Sequence, residues 1–324
     1  MLADRNQETS VPVFNHSNDV RVVSDRQREV LRRTVSDLVD AAAAADSLHM
    51  YEHLVPPELA TALSEHTRTP VSDSGFCVIE GILSDFVADP GPTPKSWDFA
   101  DFGRTRHLDV AFALVASTAG RVFGWKSQQD GRLVHDVVPS REFAGEQVGA
   151  SSAVRLEWHT EDSYHPERPE LLLLACVRNP DEVGTDVSSI RQADVSQGDV
   201  ELLSTVPVLL CPDDSFAGSW EGEDAARMLT LWESAHGLRM RYDPPYTRLP
   251  EGTAGAAGRL GTAWRGPGPL RHHGGGRAWR RGRGERRHRR PRPPAVQGQV
   301  RRHGPLAEAH PRPWRRAASG RRAR

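Results

Sequence analysis

Apolar patterning able to build a core stops near Trp264. Residues 265–324 contain almost no Val, Ile, Leu or Phe, and show neither a period of 2 nor one of 3.6. A core must come from residues 1–264, and the segment 265–324 is expected to be disordered. Charge divides at the same place. The 324-residue chain carries a net −1, yet residues 265–324 hold 19 arginines, no lysine and two acids, Glu285 and Glu308. That is a formal +17 against −18 for residues 1–264.

Before the break the texture is first helical, then β. Residues 1–20 are polar and are expected to be flexible. Ser24-Asp25-Arg26-Gln27 has the form of a capping box, followed at helical spacing by Val30, Leu31, Val35, Leu38 and Val39, which predicts a helix over 25–46. Pro56-Pro57 predicts a second helix to about His66. Residues 75–80 read as a buried strand, 85–99 as a loop and 108–122 as a core helix. From Val122 to Asp243 short apolar runs recur (171–177, 206–210, 228–232, 238–242), several of them separated by turn residues. This predicts an α+β domain over 21–264 whose β part is a sandwich or barrel.

Bulk properties exclude several classes. No apolar run reaches the ~18 to 20 residues of a membrane span. The start, Met1-Leu2-Ala3-Asp4-Arg5, lacks a signal-peptide layout. Cys77, Cys176 and Cys211 are too few for a disulfide framework, and Cys77 and Cys176 fall in apolar runs where a thiol acts as a small hydrophobe. The expected setting is cytoplasmic.

The segment Glu157-Trp158-His159-Thr160-Glu161-Asp162 carries the chemistry. On a strand, His159 and Glu161 would project to one face. With a distant second His they would form a 2-His-1-carboxylate triad, which leaves open positions on Fe(II). A bare His-x-Glu is more often a chance or surface pair. Here it follows the Gly/Ser stretch 149–152 and precedes Tyr164-His165-Pro166 and the apolar run 171–177.

Trp158 to Pro166, followed by Arg178-Asn179-Pro180-Asp181, resembles the clavaminate synthase-like Fe(II)/2-oxoglutarate oxygenases. Within them it is most similar to amino-acid hydroxylases, such as the arginine hydroxylases of peptide-antibiotic pathways and asparagine oxygenase. Val122-Phe123-Gly124-Trp125, Gln128-Gln129-Asp130-Gly131-Arg132 and Pro212-Asp213-Asp214-Ser215 extend the resemblance over about residues 108–245. It implies a distorted double-stranded β-helix (jelly roll) with flanking helices. It also implies Fe(II) bound by His159 and Glu161, 2-oxoglutarate as cosubstrate, O2, and an amino acid, free or carrier-bound, hydroxylated at an unactivated C–H in specialised metabolism.

Further roles follow from the resemblance with alternatives open. Gln128 lies in the substrate pocket or satisfies a turn. Asp243 follows a strand in the position of acids that meet an arginine side chain. Arg241 stands where such relatives carry an Asp, which favours a neutral or acidic substrate side chain, or else it is a solvated strand residue. Asp186 replaces an expected Thr near 2-oxoglutarate, and Thr185 is the candidate substitute. His165 is expected to pack or cap a loop, and Glu157 to be structural. His135 has no supporting pattern.

Two family elements are missing: the distal His and the Arg that pairs with the far carboxylate of 2-oxoglutarate, a task suited to the guanidinium fork. Arg, Gly, Pro and Ala have GC-rich codons, and Lys95 and Lys126 are the only lysines. Read one base later, degenerate codons for residues 271–286 permit V-T-T-V-V-A-E-P-G-D-V-V-V-V-N. Those for 288–294 permit I-A-V-H-G-R, and those for 296–310 permit F-K-A-R-Y-D-G-T-D-R-W-L-K-R. These are the missing elements, in order, at one offset. They suggest a frame slip near residues 264–266, with the missing His in the codons of Pro291 and Arg292 and the missing Arg in those of Ala309 and His310. The 21–264 domain would then be an incomplete jelly roll with low activity and a tendency to aggregate. Two other readings stand beside this one: a non-catalytic protein whose basic tail binds nucleic acid through phosphates, and a hydrolytic metal enzyme using His159 and Glu161.

Overall fold

The computed structural model describes residues 20–42, 55–87, 90–146, 149–151, 154, 156–178, 185–193, 195–212, 226–234, 237–249, 270–272 and 295–301. Strand β1 (Val20–Val22) leads into helix α1 (Asp25–Ala42), and α2 (Pro57–Thr67) and strand β2 (Val78–Glu80) follow. The capping box forms: the Ser24 amide donates to Gln27 Oε1 at 2.9 Å, and the Gln27 amide donates to Ser24 Oγ at 3.4 Å. Helix α3 (Phe102–Ala119) starts earlier than the apolar pattern indicated, because Asp101 caps it by accepting from the Arg104 amide. Val30, Leu31, Val35 and Val39 of α1, Leu59 and Leu63 of α2, and Val110, Ala111, Leu114 and Val115 of α3 form one core. β1 and β2 pair in parallel beside it.

The other face of α3 lies on the largest sheet. Strands β3 (Arg121–Val122), β4 (Val134–Val137) and β5 (Leu171–Cys176) contribute to it. Phe112, Ala113 and Ala116 of α3 pack on Val122, Val134 and Ala175. β5 alternates: Leu171, Leu173 and Ala175 turn toward α3, while Leu172 and Leu174 are 38% and 48% exposed. Cys176 shares the outer face and is exposed, so its expected behaviour as a buried hydrophobe is corrected. A strand with period 2 cannot bury both faces when a helix covers only one.

Strands β6 (Thr185–Val187), β7 (Val208–Leu210), β8 (Ala226–Met228), β9 (Leu231–Ser234), β10 (Gly237–Met240) and β11 (Thr247–Arg248) continue the β body. β9 pairs with β10, and β7 lies between β8 and β11, all antiparallel. The apolar run 228–232 is therefore two strands, not one. Thr230 breaks it: its Oγ1 donates to the Leu203 carbonyl at 3.1 Å, and its carbonyl accepts from the Arg241 amide at 2.8 Å. A helix not anticipated within the β texture, α4 (Gln197–Thr205), starts at Ser196, whose Oγ accepts from the Asp199 amide at 3.2 Å. It buries Leu203 against Leu231.

The expected disorder of 265–324 is corrected at two places. β12 (Leu270–His272) pairs with β6, and β13 (Ala295–Arg301) runs between β5 on one side and β3 and β4 on the other. Ladder hydrogen bonds use backbone groups alone, so a slot between two strands accepts a short segment of weak pattern. The rest of 265–324, including Pro291, Arg292, Ala309 and His310, lies outside the described residues. No helix among the described residues is long and apolar enough to cross a membrane.

Candidate metal-binding site

His159 and Glu161 were expected on a strand. They lie instead in an irregular segment, 156–160, that enters a turn at Glu161. His159 is exposed, and its Nδ1–H donates to the Glu157 carbonyl at 2.9 Å. A carbonyl only accepts, so Nδ1 carries the proton in this bond, and in the neutral ring the lone pair is then on Nε2. Metal-binding histidines are commonly oriented in this way. His165 has the opposite arrangement. Its Nδ1 accepts from the Glu167 amide at 3.0 Å, and its ring stacks on Trp125 with centroids 4.2 Å apart. It packs and caps the loop, as expected.

Two parts of the chain hold the segment. Residues 240–243, leaving β10, run beside it: the Thr160 amide donates to the Tyr242 carbonyl at 2.7 Å, and the Tyr242 amide donates to Thr160 Oγ1 at 3.1 Å. Arg241 Nη1 donates to the Ser163 and His165 carbonyls at 2.8 and 2.7 Å. Ser163 Oγ donates to Asp243 Oδ2 at 3.1 Å. From the other side, Trp125 Nε1 donates to Asp162 Oδ2 at 2.8 Å. Asp162 is 6% exposed and left-handed, with φ +45°. Burial, and then the Glu157 carboxylate, push the Tyr242 phenol above its usual range. Glu157 is exposed.

Positive charge gathers below the turn. Arg168 Nη2 donates to the Met240 carbonyl at 2.8 Å. Both Arg168 and Arg241 lie over the Trp232 ring, 5.4 and 5.6 Å from its centre. Burial, then repulsion from Arg241 and Arg239, lowers Arg168 to about 10, against the pull of Asp162 and Glu170. Burial also lowers Arg241. Arg241 is thus not a solvated strand residue: its guanidinium binds the carbonyls of Ser163 and His165 in the turn that follows Glu161.

Gln128 sits in a tight loop. Its amide donates to the Trp125 carbonyl at 2.9 Å, and its carbonyl accepts from Gly131 at 2.8 Å. Gln129, Asp130 and Gly131 are consecutively left-handed, with φ of 41°, 58° and 77°. The Gln129 side chain fixes this strained turn by bonding both the amide and the carbonyl of Asp136, at 2.9 and 3.0 Å. A Cβ on Gly124 would meet the Arg132 carbonyl oxygen well inside contact distance, so only glycine allows the two chain segments to approach. The backbone of Gln128 therefore serves a turn and stands next to Trp125. Thr185 is exposed at the start of β6, on a separate sheet, paired with His272.

A buried charge cluster lies between α3 and β4, formed by Asp109, Arg132 and Asp136, and was not identified from the sequence. Arg132 Nη2 is 3.2 Å from Asp109 Oδ2 and 3.9 Å from Asp136 Oδ2, and its guanidinium covers the Phe102 ring at 3.8 Å. His135 is buried beside it, donates from Nε2 to the Arg132 carbonyl at 2.9 Å, and is pushed below its usual range mainly by burial. Among the described residues no group of three or more His, Cys, Asp and Glu side chains could hold a metal ion. The candidate donor set at 159–161 is thus an imidazole and a carboxylate two residues apart.

No protein-family model matches the chain. It is 34% identical over 219 residues to enduracididine beta-hydroxylase of Streptomyces hygroscopicus, covering 67% of this chain and 63% of that protein. It is 38% identical over 164 residues to L-ornithine/L-arginine 3-hydroxylase of Catenulispora acidiphila, covering 50% of this chain and 46% of that one. The chain therefore spans less than two thirds of the curated relatives it matches. By structure it matches the non-heme iron oxygenase OrfP in complex with Fe, succinate and (3S)-hydroxy-L-Arg, with a TM-score of 0.63 and 26% identity, over 87% of both chains.

Proposed function

We propose that this chain, a relative of the Fe(II)/2-oxoglutarate-dependent amino-acid hydroxylases, is itself of that lineage, holds Fe(II) through His159 Nε2 and the Glu161 carboxylate, and has a jelly-roll body. The observation that carries this is the His159 hydrogen bond: the Glu157 carbonyl accepts from Nδ1–H, which in the neutral ring leaves the lone pair on Nε2, two residues before a carboxylate. Bound iron with 2-oxoglutarate and O2 supplies oxidative decarboxylation to succinate and CO2, coupled to insertion of one oxygen atom into a substrate C–H bond.

The chain's own residues orient the reactants. Gln128 and Asp243 line the substrate side, supported by their links through Trp125 and Ser163 to the ligand turn. Arg241, with Arg168 and Arg239 nearby, gives that side positive charge, which disfavours a cationic side chain and favours a neutral or acidic one. Thr185 is the chain's candidate for a 2-oxoglutarate contact. The distal His and the carboxylate-binding Arg belong to the shifted frame, so this chain holds metal through two side chains and turns over slowly.

The test is succinate release from 2-oxoglutarate with Fe(II), ascorbate and a panel of L-Arg, L-Orn, L-Lys, L-Asn, L-Gln and L-Glu. It is run on this chain and on one with the frame restored after residue 264. Stimulation by an amino acid in the restored chain, lost in His159→Ala, supports the reading. Absence of any stimulation there sinks it.

A further inference from the structure

We infer that Asp162 is a positioning residue for the metal site, setting the direction of Glu161 through a left-handed backbone locked by the Trp125 indole. This rests on the reading of His159 and Glu161 as ligands. Asp162 directly follows Glu161 at φ +45°, a conformation that costs most side chains free energy but suits Asp and Asn. Asp162 lies in the turn that the irregular segment 156–160 enters at Glu161, so the backbone angle at 162 decides how the chain turns directly after Glu161.

Two bonds hold that angle. The Trp125 Nε1–H reaches Oδ2 of the buried carboxylate at 2.8 Å, and the His165 amide donates to the Asp162 carbonyl at 2.9 Å. The indole is fixed in turn. Its ring lies between Phe123, edge-on with centroids 5.2 Å apart, and His165 at 4.2 Å. It comes from the loop that the Gly124–Arg132 approach closes. The buried carboxylate also attracts Arg168, whose guanidinium donates to the Met240 carbonyl at the end of β10. One side chain thus joins the loop carrying Gln128 to the turn carrying the ligands.

Asp162→Asn keeps both the indole acceptor and the tolerance for positive φ. Asp162→Ala loses both. Trp125→Phe removes only the donor and keeps the stack on His165. Co(II) is titrated anaerobically into the full chain, with melting temperature and amide hydrogen exchange measured in parallel. Affinity is expected to fall roughly 10- to 100-fold in Asp162→Ala and less in Trp125→Phe, the range typical of groups that orient metal ligands. Asp162→Asn should stay close to the parent. Exchange at the Thr160 and His165 amides should rise in Asp162→Ala and Trp125→Phe while helices α1–α3 remain protected. Equal affinity in Asp162→Ala and the parent overturns the inference, as does equal loss in Asp162→Ala and Asp162→Asn. If the parent chain binds no Co(II), the ligand reading fails on its own, and the exchange data decide the role of Asp162: unchanged protection at 160 and 165 overturns it.

Discussion

Thr160 and Tyr242, 82 positions apart in sequence, pair like neighbours in a ladder, though one of the two bonds uses a side chain. The Thr160 amide meets the Tyr242 carbonyl at 2.7 Å, and Thr160 Oγ1 accepts the Tyr242 amide at 3.1 Å. The residue between the two candidate ligands is thereby tied to the end of β10. Thr160→Val keeps the shape and leaves the Tyr242 amide without that acceptor. Stability should fall by about 1–3 kcal/mol, the cost of an unsatisfied partly buried donor, and Co(II) affinity should fall with it. Urea unfolding and metal titration measure the two; a variant unchanged in both shows that the pairing is incidental.

His159→Ala should abolish Co(II) binding, and Glu161→Ala should weaken it strongly, with little change in melting temperature. His159 is exposed and its ring makes a local bond to Glu157. His165→Ala should do the reverse: metal binding persists while the melting temperature drops, since its ring stacks on Trp125. Calorimetry with Co(II) on the three variants separates the roles.

The Asp109 carboxyl is pushed up from 3.8 to about 7, first by burial, then by the Asp136 charge, against the pull of Arg132 and Thr105. Between those values the folded chain keeps a proton that the unfolded chain has released. Stability contributed by this group therefore declines as pH rises from about 4 to 7 and stays low above. Asp136 is raised as well, again mainly by burial, and acts with the same sign. Asp109→Asn should flatten the decline. Melting temperatures across pH 4–8 for parent and variant provide the check, and identical slopes refute it.

Gly124→Ala places a methyl against the Arg132 carbonyl, a backbone atom that cannot rotate away. A cost of about 1–3 kcal/mol is expected, in line with other overpacked sites. The Trp125 indole should shift off Asp162, visible as a change in tryptophan emission. A variant as stable as the parent, with the same emission, contradicts the close approach.

Restoring the frame after residue 264 should raise metal affinity, because it supplies a second His, and reduce self-association; Leu172 and Leu174 are the exposed apolar groups on the outer face of β5. Sequencing of codons 255–275 and light scattering on both chains test this. An intact native frame, or equal metal affinity in the two chains, removes the frame hypothesis.

Much of the helical front was legible in the sequence. Ser24 and Gln27 announce the start of α1, and its buried face consists of the residues spaced for it, because capping and helical period are local properties. The runs at 171–177 and 238–242 marked strands for the same reason. Their partners were not legible. That β13 separates β5 from β4, or that α4 interrupts the β body, depends on which open backbone edges and apolar surfaces remain once other elements pack.

At the candidate site, the sequence by itself determined the candidate donors, an imidazole and a carboxylate two residues apart, and the motifs around them. Tertiary structure alone decided how they are aimed. The indole of Trp125 on Asp162, the Arg241 guanidinium on the carbonyls of Ser163 and His165, and the Asp109–Arg132–Asp136 cluster join residues distant in the chain. Hydrogen bonds and burial between such residues exist only after folding brings them within about 3 Å, and no spacing in the chain encodes them.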